Sequence, residues 1–490
     1  MMEHEIALTR DADGYRTFLK VKSLPRYKFV GHTAIIPQEY AKEFGVRKKA
    51  PIAKFTPSDF LFDYQRDIAR TAVEKQKYSV FAECGLGKTL IMLEYARHVR
   101  SVIKKKKTLI VSPLMVVGQT LEECEKFYGD SLPIEQVRAK DLKRWIESDG
   151  GGVGITNYDA ITDEIDQGNL GCLILDESSM LKSHYGKWGT RLLQIGRGLD
   201  WKLCLTGTPA PNDRIEYANH AVFMDQFPTV NSFLARYFVN RGMTGERWEL
   251  KPHALKPFYV SLSHWCIFLS DPATYGWKDN TEPLPPIHTH IHDVDLTADQ
   301  RNEVRLQTGE LFLSSLGGIV TRQKLTRIAR GTDGNNSLKP HFIRDLVNSW
   351  PTESTIIWCQ HNDEQDGIAA LFPGCANIDG STPEKDRIEM IRDFKSGKIK
   401  DIVSKPKILG FGLNLQRATR QVFSGMSDSY EAYWQAVKRS NRVGSKHPLN
   451  VHIPVTEIEI PILENVLRKA ANIEADTKEQ QRIFHECRRG

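Results

Sequence analysis

Short apolar runs alternate with amphipathic stretches from about residue 51 onward, the pattern of a parallel sheet whose two faces are covered by helices. Runs at 80–82, 109–112, 153–156, 173–176 and 203–206 predict five strands of a first core. A helix-like segment carrying Leu90, Ile91, Leu93, Glu94 and Val99 follows the first of them. The alternation restarts near residue 352, with strands predicted at 355–359, 377–379, 402–404, 421–424 and 451–454 and helices at 384–394, 431–441 and 462–473. Residues 213–335 lie between the cores and do not alternate. They hold Phe223, Phe227, Phe233, Tyr237, Phe238, Trp248 and Trp265, a helical stretch at 300–316 and a Pro-rich linker at 282–286, and so predict a mostly helical insertion. Ahead of the first core, 17–21 and 33–36 read as strands and 38–44 as a short helix. The expected class is α/β, with a small α+β preface over 1–50, a first parallel-sheet domain over 51–222, a helical insertion and linker over 223–335, and a second parallel-sheet domain with a C-terminal helix over 336–490.

Composition narrows this picture only a little. At 490 residues the chain is too long for one core, and 40% apolar with 26% charged residues is the balance of a water-soluble globular protein. No run of 18 apolar residues occurs, so no membrane span is expected, and the start M-M-E-H-E-I-A-L-T-R lacks the apolar centre of a secretory signal. Eight cysteines without a C-x-x-C pair read as reduced thiols, which points to a cytoplasmic protein. A net charge of +6 permits contact with a polyanion without requiring it, and the basic run Lys104–Lys107 reads as a solvated turn. A monomer is the expected state, and nothing in the composition indicates a protein partner.

Candidate chemistry changes the picture far more. Residues 82–89 read A-E-C-G-L-G-K-T, a phosphate loop in which Ala82 replaces the usual first glycine. Glycines there let backbone N–H groups close on phosphate oxygens, and the following helix adds the positive end of its dipole. Glu83, Cys84, Gly85, Leu86, Gly87, Lys88 and Thr89 are thus expected to bind ATP, with Lys88 reaching the β- and γ-phosphates and the Thr89 hydroxyl on magnesium. The apolar run 172–175 ends in Asp176 and Glu177, which places Asp176 at the carboxyl edge of the sheet to hold magnesium while Glu177 orients or deprotonates the attacking water. Thr206 and Thr208, in the T-G-T-P turn after the next strand, can hydrogen-bond that acidic pair and couple it to the γ-phosphate. In Q-A-V-K-R-S-N-R-V-G (435–444), Arg439 and Arg442 are three apart and are expected on one helix face, with Gln435 one turn earlier, to stabilise the transferring phosphoryl group. The second core has no G-K-T, so ATP is expected in the cleft between the two cores. His288, His290 and His292 alternate along one strand face, but no cysteine or carboxylate cluster accompanies them, and a solvated face is expected rather than a metal site.

The ordered set L-F-D-Y-Q (61–65), the phosphate loop, L-I-V-S-P-L (109–114), I-T-N-Y-D (155–159), D-E-S-S-M-L-K-S (176–183), L-T-G-T-P-A-P-N (205–212), I-D-G-S-T (378–382), G-F-G-L-N-L-Q (410–416) and the arginine segment resembles the superfamily-two helicases. The likeness is closest to SWI/SNF-type double-stranded DNA translocases in their compact bacterial and phage forms, and it covers about residues 55–470. It implies two RecA-like domains, with Gln65 reading adenine. Pro113, Thr156, Asn157 and Gln416 would lie near nucleic acid, and Gly412 and Asn414 would couple ATP to it. Two residues depart from that pattern: Ser178-Ser179 stands where Ala-His is more usual, and Ser445 where a Gln often follows. The preface interleaves aromatic and basic residues, which read either as a DNA contact or as the alternate core positions of strands. The activity implied is an ATP-driven motor on duplex DNA that remodels protein–DNA or branched DNA structures, in a bacterial or phage-infected cytoplasm. The alternatives are a strand-separating helicase on DNA or RNA, and an ATP-switched clamp that does not translocate.

Overall fold

Parallel strands build both halves of the chain. The computed structural model describes residues 3–24, 27–45, 55–181, 187–210, 213–242, 247–278, 284–308, 319–331, 336–409, 413–442 and 444–489. These divide into two units, Met1–Asn280 with Ala475–Gly490, and Thr281–Glu474. Among the described residues no helix is long and apolar enough to cross a membrane.

The first unit opens with a small antiparallel sheet of β1 (Glu3–Ala7), β2 (Lys28–Val30) and β3 (Thr33–Pro37), in the order β1-β3-β2. Residues 17–21, expected as a strand, are part of a helix, Ala12–Lys22. Asp11 caps it by accepting the Gly14 amide at 2.8 Å, and Tyr15, Phe18 and Leu19 fall at helical spacing, so the local cap overrides a run of strand-favouring residues. The segment 38–44 forms a 3-10 helix.

The main sheet of this unit has seven strands: β4 (Lys77–Ala82), β5 (Lys107–Ser112), β6 (Ile134–Gln136), β7 (Gly152–Asn157), β8 (Leu170–Asp176), β9 (Trp201–Thr206) and, after the hairpin β10 (Phe238–Asn240) and β11 (Trp248–Leu250), β12 (Cys266–Leu269). Their order is β12-β4-β9-β8-β5-β7-β6, every pair parallel. The central strands are buried along nearly their whole length, as a sheet covered on both faces requires. The helix Lys88–Val102 lies against one face and buries Ile91, Met92, Leu93, Tyr95, Ala96 and Val99 completely. Each large apolar side chain so enclosed is worth about 1.5–3 kcal/mol.

The region expected as a mostly helical insertion is instead divided between the units. Its aromatics form core in the first: Phe233, Tyr237, Phe258 and Trp265 are all at most 2% exposed and pack behind β12, which adds an edge strand beside β4. Pattern alone hides such a contribution, because Cys266–Leu269 is a short apolar run that joins a sheet begun almost two hundred residues earlier.

The second unit is a six-stranded parallel sheet of β13 (Ile287–Asp293), β14 (Thr355–Trp358), β15 (Ala376–Ile378), β16 (Asp401–Ser404), β17 (Arg420–Phe423) and β18 (Leu449–Val455), in the order β13-β18-β17-β14-β16-β15. β13 carries the three alternating histidines. His290 stacks on His452 of β18 at 4.6 Å, and His292 Nε2 lies 3.0 Å from His452 Nδ1. The final helix, Ile460–Arg489, runs well beyond the 462–473 expected for it. The helical stretch expected at 300–316 is present as Ala298–Thr308, its remainder lying outside the described residues along with positions 282–283 of the linker.

A buried charge network ties this unit together. Glu459, immediately before the final helix, accepts from Lys339 Nζ at 2.6 Å and Arg330 Nε at 3.1 Å, while Lys339 also donates to the Ser424 carbonyl at 2.6 Å. All three side chains are at most 5% exposed. Removing one member of such a set strands the others without solvent. Glu459→Gln is therefore expected to destabilise this unit by about 3–5 kcal/mol, read as a lower urea midpoint in tryptophan fluorescence. A midpoint equal to that of the unaltered protein contradicts the assignment.

Candidate functional site

In a parallel sheet every carboxyl end lies on one edge, and the order β4-β9-β8-β5 sets the ends of four chemically distinct segments side by side. The loop 83–87 leaves β4 there, held where the Glu83 amide donates to the Leu269 carbonyl of β12 at 2.9 Å. Gly85 and Gly87 have φ of +92° and +69°, the left-handed region that a side chain disfavours. At Gly87 a Cβ would also stand 2.1 Å from Gln65 Nε2, so any side chain there would push the Gln65 amide from its place against the loop.

Lys88 begins the following helix and turns its ammonium back into the loop, donating to the carbonyls of Ala82 at 2.7 Å and Glu83 at 3.1 Å. The residue that departs from the glycine pattern thus contributes through its backbone. Cys84 in the loop and Thr89 in the first turn of that helix are half-buried. Gln65 is buried beneath the loop: its Oε1 accepts the Phe62 amide at 3.0 Å, and its Nε2 lies 3.5 Å from the Leu86 carbonyl.

Asp176 closes β8. Its Oδ2 accepts from Ser112 Oγ at 2.8 Å, and its carbonyl accepts from Tyr158 Oη at 2.7 Å. Enclosure by the protein, and secondly the neighbouring charge of Glu177, push its pKa up to about 6, with Lys88 acting in the opposite sense. Negative charge here is under-compensated, which is the condition a divalent cation relieves. Glu177 adopts φ of +54°, unusual for a residue with a side chain and costing about 1–3 kcal/mol. Its Oε1 accepts from Thr206 Oγ1 at 2.7 Å and from Ser179 Oγ at 3.4 Å, while the Thr206 oxygen accepts the Thr208 amide at 3.1 Å. Gly207 belongs to the same cluster, since a Cβ on it would lie 3.7 Å from Lys88 Nζ.

Residues expected near nucleic acid are placed unequally. Pro113 precedes the helix Leu114–Phe127, and Asn157 caps the turn after β7 by accepting the Ala160 amide at 3.1 Å. Thr156 is withdrawn: it is buried and its hydroxyl donates to the Val137 carbonyl at 2.8 Å. Ser112 and Tyr158, which orient Asp176, lie inside the motif segments 109–114 and 155–159, but nothing local in the sequence pairs them with Asp176.

In the second unit, Arg439 and Arg442 do not share a helix face. The helix Tyr430–Val437 ends before them, because the Gln421 side chain of β17 captures the Ala436 carbonyl at 3.0 Å and Ser440 Oγ at 2.8 Å, and the chain tightens into turns. The two guanidiniums still meet, both donating to the Leu413 carbonyl, at 3.5 and 3.1 Å. Gln416 Nε2 donates to the Arg442 carbonyl at 3.2 Å, Asn414 Nδ2 to Gln416 Oε1 at 3.0 Å, and Gln435 Nε2 to Glu431 Oε1 at 3.3 Å. Ser445 Oγ accepts the Arg442 amide at 3.1 Å, so the departure there supports the same turn. Gly412 lies outside the described residues.

Two parallel-sheet units, the first with a glycine loop and lysine at its carboxyl edge, define the class as a RecA-like helicase ATPase. The SNF2-related domain matches residues 74–342, and the helicase conserved C-terminal domain matches residues 338–444. The chain belongs to the SNF2-related family, and is an ATP-using, DNA-binding enzyme of helicase superfamily two. It is 26% identical over 439 residues to the putative protein p41 of Acyrthosiphon pisum secondary endosymbiont phage 1, covering 81% of this chain and 92% of that protein. It is 24% identical over 424 residues to the DNA annealing helicase and endonuclease ZRANB3 of Bos taurus, covering 80% of this chain but 38% of that protein. A solved Sulfolobus solfataricus SWI2/SNF2 ATPase core in complex with dsDNA aligns at a TM-score of 0.40 with 18% identity, over 88% of this chain and 97% of that one.

The Thr206–Glu177 hydrogen bond is testable by itself. Thr206→Val keeps the shape and removes the donor, and is expected to lower kcat for ATP about tenfold or more while leaving the Kd for ATP within about twofold. An unchanged kcat contradicts the role given to that hydroxyl.

Proposed function

We propose that this chain is a DNA-stimulated ATPase that moves along duplex DNA and remodels bound proteins or branched DNA. The observation that carries the proposal is the assembly of Lys88, Asp176 and a Thr206-anchored Glu177 on one sheet edge, in a chain of the SNF2-related family. In this reading Glu83, Cys84, Gly85, Leu86 and Gly87 wrap the phosphates with backbone N–H groups, and Lys88 leaves its loop carbonyls for the β- and γ-oxygens. Gln65, already against the loop, is placed to read the base. Magnesium would be held by the Thr89 hydroxyl and, through water, by Asp176, and would neutralise phosphate charge. Glu177 aims or deprotonates the attacking water, and its strained backbone keeps the carboxylate on the sheet edge rather than along the strand. Arg439 and Arg442 are assigned to the charge that develops on the transferring phosphoryl group.

Duplex DNA as the track follows from the resemblance carried by the ordered motifs, and DNA as the partner is supported by the DNA annealing helicase among the relatives. In the preface, Tyr15 is 62% exposed on the helix Ala12–Lys22, beside Arg16, which suits contact with a polynucleotide.

The test is the ATPase rate with duplex DNA, single-stranded DNA and RNA, with Lys88→Ala as the inactive control and a forked substrate assayed for strand release. Duplex DNA is expected to stimulate at least about tenfold more than RNA, with no strand released and no turnover by Lys88→Ala. Strand release moves the assignment to an unwinding helicase. DNA binding switched by ATP, without turnover, moves it to a clamp.

A further inference from the structure

Glu177 is held at its side chain by Thr206, but its left-handed backbone also needs an anchor on the side that follows it. Residues Ser178–Leu181 form a tight 3-10 turn there, in which the Met180 amide donates to the Glu177 carbonyl at 3.3 Å. Ser178 is completely buried, and its Oγ lies 3.1 Å from Nε2 of His220, which is also completely buried. One residue earlier, Asn219 Nδ2 donates to the Leu181 carbonyl at 2.6 Å. Consecutive residues of the helix Tyr217–Phe223 therefore grip both ends of the turn that carries Glu177.

That helix is itself fixed. Tyr217 packs edge-on against Phe258, and the His220 ring meets Phe81 at 5.3 Å and 86°. Phe81 is the penultimate residue of β4, just ahead of the phosphate loop. Burial lowers the His220 pKa to about 4, so the imidazole is neutral at physiological pH and shares one hydrogen bond with Ser178 without adding a charge beside the acidic pair. A hydroxyl at 178 would be costly in a buried turn without a partner, and His220 answers it together with the Cys204 thiol of β9.

We infer that His220 is a positioning residue for ATP hydrolysis: through Ser178 it fixes the turn that aims the Glu177 carboxylate, and with Phe81 it links that turn to the strand entering the phosphate loop. The inference rests on the proposed role of Glu177. It concerns the chemical step, so it separates from nucleotide binding.

The experiment measures kcat and KM for ATP, together with Tm, in His220→Leu, Ser178→Ala, the double variant and His220→Gln, at a temperature well below every Tm. His220→Leu and Ser178→Ala are each expected to lower kcat about tenfold with KM within about twofold, since a small misplacement of an aiming group is felt in the chemical step. The double variant is expected to be no slower than the worse single, because one link is broken in all three. His220→Gln, which carries a side-chain amide in place of the ring, is expected to restore most of kcat. Wild-type kcat in His220→Leu and Ser178→Ala, with only Tm lowered, overturns the inference and leaves the pair as packing. If His220→Leu does not fold, Ser178→Ala decides alone by the same criterion. Absence of ATPase in the unaltered protein sinks the proposed function instead, so the two failures are distinguishable.

Discussion

Parallel strands all finish on the same edge of their sheet, and the chemistry of this chain depends on that constraint. β4, β9, β8 and β5 are neighbours, although their sequences are spread over 130 positions from Lys77 to Thr206. Adjacency delivers Lys88, the Thr206 turn, the Asp176-Glu177 pair and Ser112 to one place without any loop having to reach for it. The covered faces of the sheet then make the arrangement stiff, because each of these residues ends or follows a strand that cannot shift without unpacking its core.

Two costs are concentrated on that edge. Glu177 occupies a left-handed backbone conformation, and Asp176 holds a carboxylate where burial resists its ionisation. Ordinary packing offers no return for either. Both are offset by dedicated partners: Thr206 and Ser179 for the Glu177 carboxylate, Ser112 for Asp176, Tyr158 for the Asp176 backbone. Strain and under-compensated charge kept in place by a surrounding network are what the proposed cation and triphosphate site would require.

How far this was legible in the sequence depended on the kind of signal. Strands buried on both faces announce themselves as apolar runs, and the runs ending at Asp176 and Thr206 finish as expected. Local motifs likewise singled out the glycine loop, the acidic pair and the arginine segment as candidates, each a run of adjacent residues. What escaped was set by contacts distant in sequence or by local caps. The helix Ala12–Lys22 follows from one Asp cap. The early end of the Tyr430–Val437 helix follows from Gln421, a side chain on another element. Thr156 looked available until Val137 took its hydroxyl, and the aromatic stretch after residue 223 became core once β12 joined the first sheet. Ser178 registered only as a departure from a family pattern, because its partner lies forty-two positions away.

In the proposed reaction Glu177 acts on water and not on nucleotide affinity. The most direct measurement compares ATP binding and turnover in Glu177→Gln, which keeps size and hydrogen bonding but removes the carboxylate. Binding of ATP within about threefold of the unaltered protein, with turnover reduced at least about a hundredfold, is the predicted result. Hydrolysis near the normal rate, or loss of ATP binding in step with loss of turnover, would contradict it.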